Sequence, residues 1–404
     1  HVLTDRSAAA ISASETLLHG DDGARATFLP DGRPPRAGTR LPQPMLARTL
    51  RLLALEGRDA FYRGPIAREI VASLADAGGV MSAEDLAAHT GEWGDPIRTA
   101  YRDVEACTTP PNSQGITALI ALNVLTALRE RGWPELPGDR PLPPGDAASA
   151  GRIHAQAEAL KAAWAERDAN VADPVRHRVD VAGLLSTEHA AAIGGRLDPR
   201  RAQRFEPSVV TAAGTVYLAA ADGDGGVASL IESNYMGFGA GIMAGGTGVM
   251  LQNRGAYFSL DEDAPNVVAP GARPLHTLMP GMLLRHGRPW AALGAMGGDG
   301  QPQTMLQLVN ALVDDGLDAQ QAVERARFLL EVDAPERPLW RMTVEPALAT
   351  DGTLAELRER GHAIRTLERL DPLMGWAQIV TRDPETSSLT GGGDPRTDSV
   401  AIGL

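Results

Sequence analysis

The chain changes character at residue 215, and that change limits what it can fold into. Before it, apolar residues recur at helical spacing. Pro44–Gly57 carries Leu46, Leu50, Leu53 and Leu55, and Pro65–Ala77 carries Ile66, Ile70, Val71 and Leu74 before a Gly78-Gly79 stop. Ser82 to Asp85 reads as a capped helix start. Val104–Thr109 is a short strand that runs through the turn Pro110-Pro111-Asn112-Ser113-Gln114-Gly115 into a long apolar helix, Ile116–Arg131. Glu135–Ala147 reads as an exposed connection, and a helix resumes over Ala148–Asp168 through Ile153, Ala157, Leu160 and Trp164. From Thr215 onward strands appear. Thr215–Ala221 and Val227–Tyr235 flank an Asp222-Gly223-Asp224-Gly225-Gly226 turn, a hairpin pattern. Trp290–Met296 is a further strand, Gln303–Asp314 and Ala319–Leu330 read as helices, and Gly375–Thr381 with Ser399–Leu404 reads as a closing strand pair around a Gly391-Gly392-Gly393 loop.

At 404 residues the chain can bury a large core, and 43% hydrophobic with 22% charged residues is the composition of a folded protein. A formal charge of -13 repels nucleic acid and anionic membranes. The longest nearly apolar stretch, Ile116–Leu128, is too short to span a bilayer. One cysteine, Cys107, excludes an internal disulfide and any multi-thiolate metal site. Lys161 is the only lysine, so Schiff-base chemistry would rest on it alone, and its helix reads as placing it on a solvated face. No GxxxxGK[ST] loop and no HExxH motif is present. Chemistry by an oxygen nucleophile remains, with no metal and no cofactor called for.

Gly214-Thr215 opens the first strand of the hairpin, an ordinary feature taken alone. It is followed in order by Gly237-Phe238-Gly239-Ala240-Gly241, Gly245-Gly246-Thr247-Gly248, Leu251-Gln252-Asn253-Arg254-Gly255, Arg273-Pro274-Leu275-His276-Thr277, Gly294-Ala295-Met296-Gly297-Gly298 and Gly393-Asp394-Pro395-Arg396. As an ordered set these motifs resemble the gamma-glutamyltransferase family, N-terminal-nucleophile hydrolases that cut themselves in two. The resemblance covers most of the chain. It implies an α+β fold, a four-layer αββα sandwich, which suits the helix-rich front and strand-rich back. It also implies cleavage between Gly214 and Thr215, dividing one intertwined domain into a large-subunit-like region, 1–214, and a small-subunit-like region, 215–404. The two pieces would stay associated, and a homodimer is left open.

On this resemblance Thr215 becomes both nucleophile and base, because a free α-amine with pKa near 8 can accept its hydroxyl proton. Gly297 and Gly298 stand at the oxyanion-hole positions, where backbone N–H groups meet a tetrahedral oxyanion. Ser233 matches a hydroxyl that supports the nucleophile. Asn253, Arg254, Tyr235, Tyr257, His276 and Thr277 fall in the substrate-contacting segments. His276 reads as an imidazole lining a polar cavity rather than a general base, since the mechanism needs none.

Departures from the family bear on substrate. Glutathione-acting members hold the substrate ammonium with an Asp just before the Phe-Ser pair matching Phe258-Ser259, and this chain has Tyr257 there. A phenol lacks the charge-assisted contact, a difference of roughly 1.5 to 3 kcal/mol. Tyr235 replaces a substrate-binding Asn, and the connector from Tyr257 to Arg273 is short, so an open, less polar pocket is expected. The expectation is an amide substrate with a glutaryl-like or γ-glutamyl-like acyl group, with hydrolysis favoured, as in the cephalosporin-acylase-like branch. The alternatives are a true gamma-glutamyltransferase or glutathione hydrolase, an unprocessed non-catalytic relative that binds a partner, and a nucleotide-binding protein using Gly237–Gly248. Family chains usually carry a segment ahead of the region matching residues 1–40, with a first sheet strand and a carboxylate-binding arginine. A partial chain or a truncated relative is therefore expected. A single cysteine tilts the expected compartment toward the cytoplasm.

Overall fold

Proline opens two of the longer helices of the front segment, Pro44–Glu56 and Pro65–Asp76, where its missing N–H costs nothing. Ser82 and Asp85 cap each other reciprocally at the start of Ala83–Ala88. A computed structural model describes residues 1–136, 148–206, 214–332 and 339–403. The expected connection Glu135–Ala147 lies largely outside these residues. The chain forms two compact units, 1–94 with 234–254, and 95–233 with 255–404. This division differs from the expected cleavage point, which concerns the covalent chain.

The first unit is helical, with two small apolar clusters, one around Leu18 and Phe28 and one around Ile66 and Ile70. Its glycine-rich run, 237–248, has a structural explanation. Gly246 N donates to Glu69 Oε2 (2.8 Å), and Thr49 Oγ1 donates to the Thr247 carbonyl (2.7 Å). Gly248 takes φ +73°, and a side chain there would collide with the Leu46 backbone.

The second unit is built on a six-stranded antiparallel sheet of β1 (Ile97–Tyr101), β2 (Val104–Thr108), β5 (Gly281–Arg285), β6 (Arg288–Met296), β10 (Trp376–Arg382) and β11 (Leu389–Gly393), in the spatial order β1-β2-β5-β6-β10-β11. One face carries helices Ile116–Glu130, Ala150–Asn170 and Gln301–Val309, which share a core with Leu293, Ala295, Ala377 and Ile379. The hairpin β3 (Gly214–Ala221) and β4 (Val227–Tyr235) forms its own two-stranded sheet, and β3 packs on β6 and β10. Gly294 of β6 lies directly beneath the Tyr217 ring of β3 and has no room for a side chain. A three-stranded sheet, β7 (Phe328–Val332), β8 (Trp340–Val344) and β9 (Ala363–Thr366), completes the unit.

Three expectations are corrected. The helix expected over Ala319–Leu330 ends at Glu324, and Phe328–Val332 is a strand paired with β8. Its apolar run satisfies a buried strand as well as a helix. The Gly391-Gly392-Gly393 segment is no loop: it lies in β11, paired with β10, and 399–403 forms no strand. Gly392 is required because any side chain would strike the Ala319 carbonyl of the helix packed on that edge. Lys161 is buried rather than solvated, ion-paired to Glu158 and donating to the Gln203 carbonyl at 3.2 Å.

Candidate active site

Strand alternation fixes the orientation of Thr215. On β3 Thr215 and Tyr217 are buried, whereas Val216 and Leu218 are 60% and 52% exposed, so Thr215 shares the face that Tyr217 turns toward β6. Ser233 of β4 stands beside it. The Thr215 hydroxyl donates to Ser233 Oγ (3.1 Å), and Ser233 Oγ donates to the Gly214 carbonyl oxygen (2.7 Å). Two hydroxyls and the carbonyl of the peptide bond before Thr215 thus form one short hydrogen-bonded chain. The hairpin is tied down by Ser229, whose hydroxyl meets Tyr217 OH at 2.7 Å and the Gly281 carbonyl of β5 at 2.9 Å.

Where β6 ends, Gly297 and Gly298 have φ of +154° and +53°, left-handed geometry that favours glycine. Gln114, from the turn before helix Ile116–Glu130, holds this bend. Its amide nitrogen donates to the carbonyls of Gly298 (2.9 Å) and Thr277 (3.2 Å). Arg167 Nη1 donates to Gln114 Oε1 (2.9 Å) and to Asp299 Oδ1 (2.6 Å), and Tyr257 OH also donates to Asp299 Oδ1. Burial, reinforced by the Asp299 charge, pushes the Tyr257 phenol well above its usual range, so it stays a neutral donor. Burial opposes the Arg167 charge, but the Asp168 and Asp299 carboxylates outweigh it and hold the guanidinium protonated.

Thr277 is fully buried, and the His276 imidazole accepts from Leu278 N at 3.2 Å. Tyr235, Asn253 and Arg254 belong to the first unit. There Arg254 lies 4.7 Å over the Tyr235 ring, and Asn253 Oδ1 accepts from Met236 N at 3.1 Å. The geometry therefore brings Thr215, Ser233 and Gly214 together, and links Gly298, Thr277 and Tyr257 through Gln114, Arg167 and Asp299. Sequence reasoning did not single out Gln114 as a site residue, although it sits in the quoted Pro110–Gly115 turn, nor Arg167 or Asp299.

Among the described residues His154, Glu158 and His362 could offer three metal ligands, with atoms within 4.8 Å of one another. The Lys161 ammonium already neutralises Glu158, and the two imidazoles bond each other at 2.7 Å, so the cluster is complete without a metal.

A gamma-glutamyltranspeptidase sequence profile matches residues 1–404. The chain belongs to the gamma-glutamyltranspeptidase family. It is 36% identical over 377 residues to the glutathione hydrolase-like YwrD proenzyme of Bacillus subtilis, covering 93% of this chain and 69% of that protein. The oxamate amidohydrolase proenzyme of Klebsiella pneumoniae is 33% identical over 407 residues, covering 100% of this chain and 72% of the relative. The fold matches the crystal structure of a cephalosporin acylase from Bacillus halodurans with TM-score 0.86 at 36% identity, over 98% of this chain and 70% of that one. The family's mixed helix-and-sheet architecture is thus present, and these relatives are named as hydrolases, an amidohydrolase and an acylase. No helix among the described residues is long and apolar enough to cross a membrane.

Proposed function

We propose that this chain is a self-processing amidohydrolase of the gamma-glutamyltranspeptidase family, arranged as a four-layer αββα sandwich, with Thr215 as its nucleophile. The observation that carries the reading is the hydroxyl chain from Thr215 through Ser233 to the Gly214 carbonyl. In processing, Thr215 Oγ1 attacks the Gly214 carbonyl carbon. Its proton passes to Ser233 as Ser233 delivers its own to the developing oxyanion. The C–N bond then breaks with proton transfer to nitrogen, leaving an ester that water hydrolyses to a Gly214 carboxylate and a free Thr215 amine. That amine serves as the base for Thr215 in substrate turnover. The N–H groups of Gly297 and Gly298 take the oxyanion of the substrate, and water releases the acyl group from Thr215.

For the acyl group, Tyr257 and Asp299 argue against an ammonium anchor. Tyr257 supplies no charge, and the Asp299 carboxylate is committed to Arg167 and to Tyr257. A glutaryl-like acyl group, which has no α-ammonium, fits better than a γ-glutamyl one. Glutaryl- and γ-glutamyl-p-nitroanilide assayed side by side test this. Faster release from the glutaryl compound, abolished by Thr215→Ala, is expected; a large preference for the γ-glutamyl compound overturns the role given to Tyr257.

A further inference from the structure

Gly297 and Gly298 have no side chains to restrict their backbone, so oxyanion donors placed there are preorganised only if their peptide planes are pinned from outside. Gly298 is pinned on both sides. Gly300 N donates to the Gly297 carbonyl (2.7 Å), and because a trans peptide points its C=O and N–H in opposite directions, the Gly298 N–H faces away from that contact. The next peptide plane is held by Gln114, whose amide nitrogen donates to the Gly298 carbonyl (2.9 Å).

Gln114 can do this in one orientation only. Its carboxamide is fully buried, and Arg167, whose guanidinium can only donate, places Nη1 2.9 Å from Oε1. That contact turns Nε2 toward the carbonyls of Gly298 and Thr277, whereas the flipped amide would set its oxygen against two carbonyl oxygens. Arg167 is itself buried and fixed by Asp168 (2.8 Å) and Asp299 (2.6 Å). The backbone that carries Gln114 is held as well: its N–H donates to the His276 carbonyl (2.9 Å), and the Ser113 hydroxyl donates to the Leu278 carbonyl (2.6 Å). One side chain therefore ties the Gly297-Gly298 bend to the segment that carries Thr277.

We propose that Gln114, oriented by Arg167, is a positioning residue that sets the oxyanion hole for substrate turnover. The inference rests on the proposed acyl-Thr215 chemistry, in which the N–H groups of Gly297 and Gly298 meet the substrate oxyanion whereas Ser233 serves the oxyanion of self-cleavage. Loss of the Gln114 donor therefore separates two rates that a general loss of structure would lower together.

Gln114→Glu keeps the length and pairs with Arg167 but has no N–H for the two carbonyls, and Gln114→Met has neither the donor nor a charge. Each is compared with wild type by denaturing gel for self-cleavage. The cleaved proteins are then assayed for release of p-nitroaniline from whichever of the glutaryl and γ-glutamyl compounds wild type hydrolyses faster. In both variants kcat is expected to fall about tenfold or more with KM within about threefold, since the oxyanion forms only beyond the ground state, while self-cleavage stays within about threefold of wild type. Unchanged kcat in the variants beside an active wild type overturns this inference alone. So does a rise in KM without a fall in kcat, or self-cleavage slowed in step with kcat. A wild type that neither cleaves itself nor turns over either compound overturns the Thr215 reading and this inference with it.

Discussion

At the scale of single residues, the account turns on two hydroxyls. In the proposed processing step Ser233 passes a proton rather than forming a bond to carbon, so its loss should slow processing without changing its position. Ser233→Ala is expected to slow self-cleavage by about 10²-fold or more, read as a time course on denaturing gels, while Ser233→Thr keeps most of the rate. Tyr257 makes a separate prediction. Because burial holds its phenol neutral, as it does those of Tyr101 and Tyr217, ultraviolet titration of wild type should lack the transitions of all three near pH 10, with no transition removed there by Tyr257→Phe. Thr215, Ser233 and the Gly297-Gly298 pair were legible as motif positions. The supports were not: Gln114, Arg167 and Asp299 lie 53 and 132 residues apart along the two links and meet only after the sheet has formed. No local period in the sequence encodes such a meeting.

At the scale of elements, the long front helices and the hairpin followed from periodicity and turn chemistry, and the structure has them within a residue or two of expectation. Errors arose where packing overrides local signal. Three consecutive glycines suggest a loop, yet at Gly392 the absent side chain is what lets helix Ala319–Glu324 approach β11. Gly392→Ala should therefore cost about 1 to 3 kcal/mol, visible as a lower denaturation midpoint. Gly91→Ala, where nothing lies within 4 Å of the added carbon, is the near-neutral control. Lys161 was misread for a related reason. Its helix buries residues all round, and the partner that makes burial tolerable, Glu158, sits one turn away.

At the scale of the whole molecule, the proposed cut would not release the pieces. β1 and β2 come from the region before Thr215, and β2 pairs with β5 from the region after it, so both fragments share one sheet. Processed protein should co-elute as a single species on native size exclusion. The same unit holds an acid-sensitive element. Burial pushes His154 down to about 4 and His362 to about 2, against 6.5 for each imidazole in water. Above pH 6.5 both states are neutral and nothing is gained or lost. Below it the unfolded chain takes up protons that the folded one refuses, so stability falls by up to about 1.4 kcal/mol per pH unit for each histidine. Thermal melts from pH 7 to pH 5 should show this decline, and His362→Leu should flatten it. The central claim is that the Thr215–Ser233–Gly214 arrangement cuts the chain. Intact mass spectrometry of freshly purified protein beside Thr215→Ala tests it most directly. The account predicts two pieces, ending at Gly214 and beginning at Thr215, with the variant intact; one unbroken 42.6 kDa wild-type chain after prolonged incubation would contradict it.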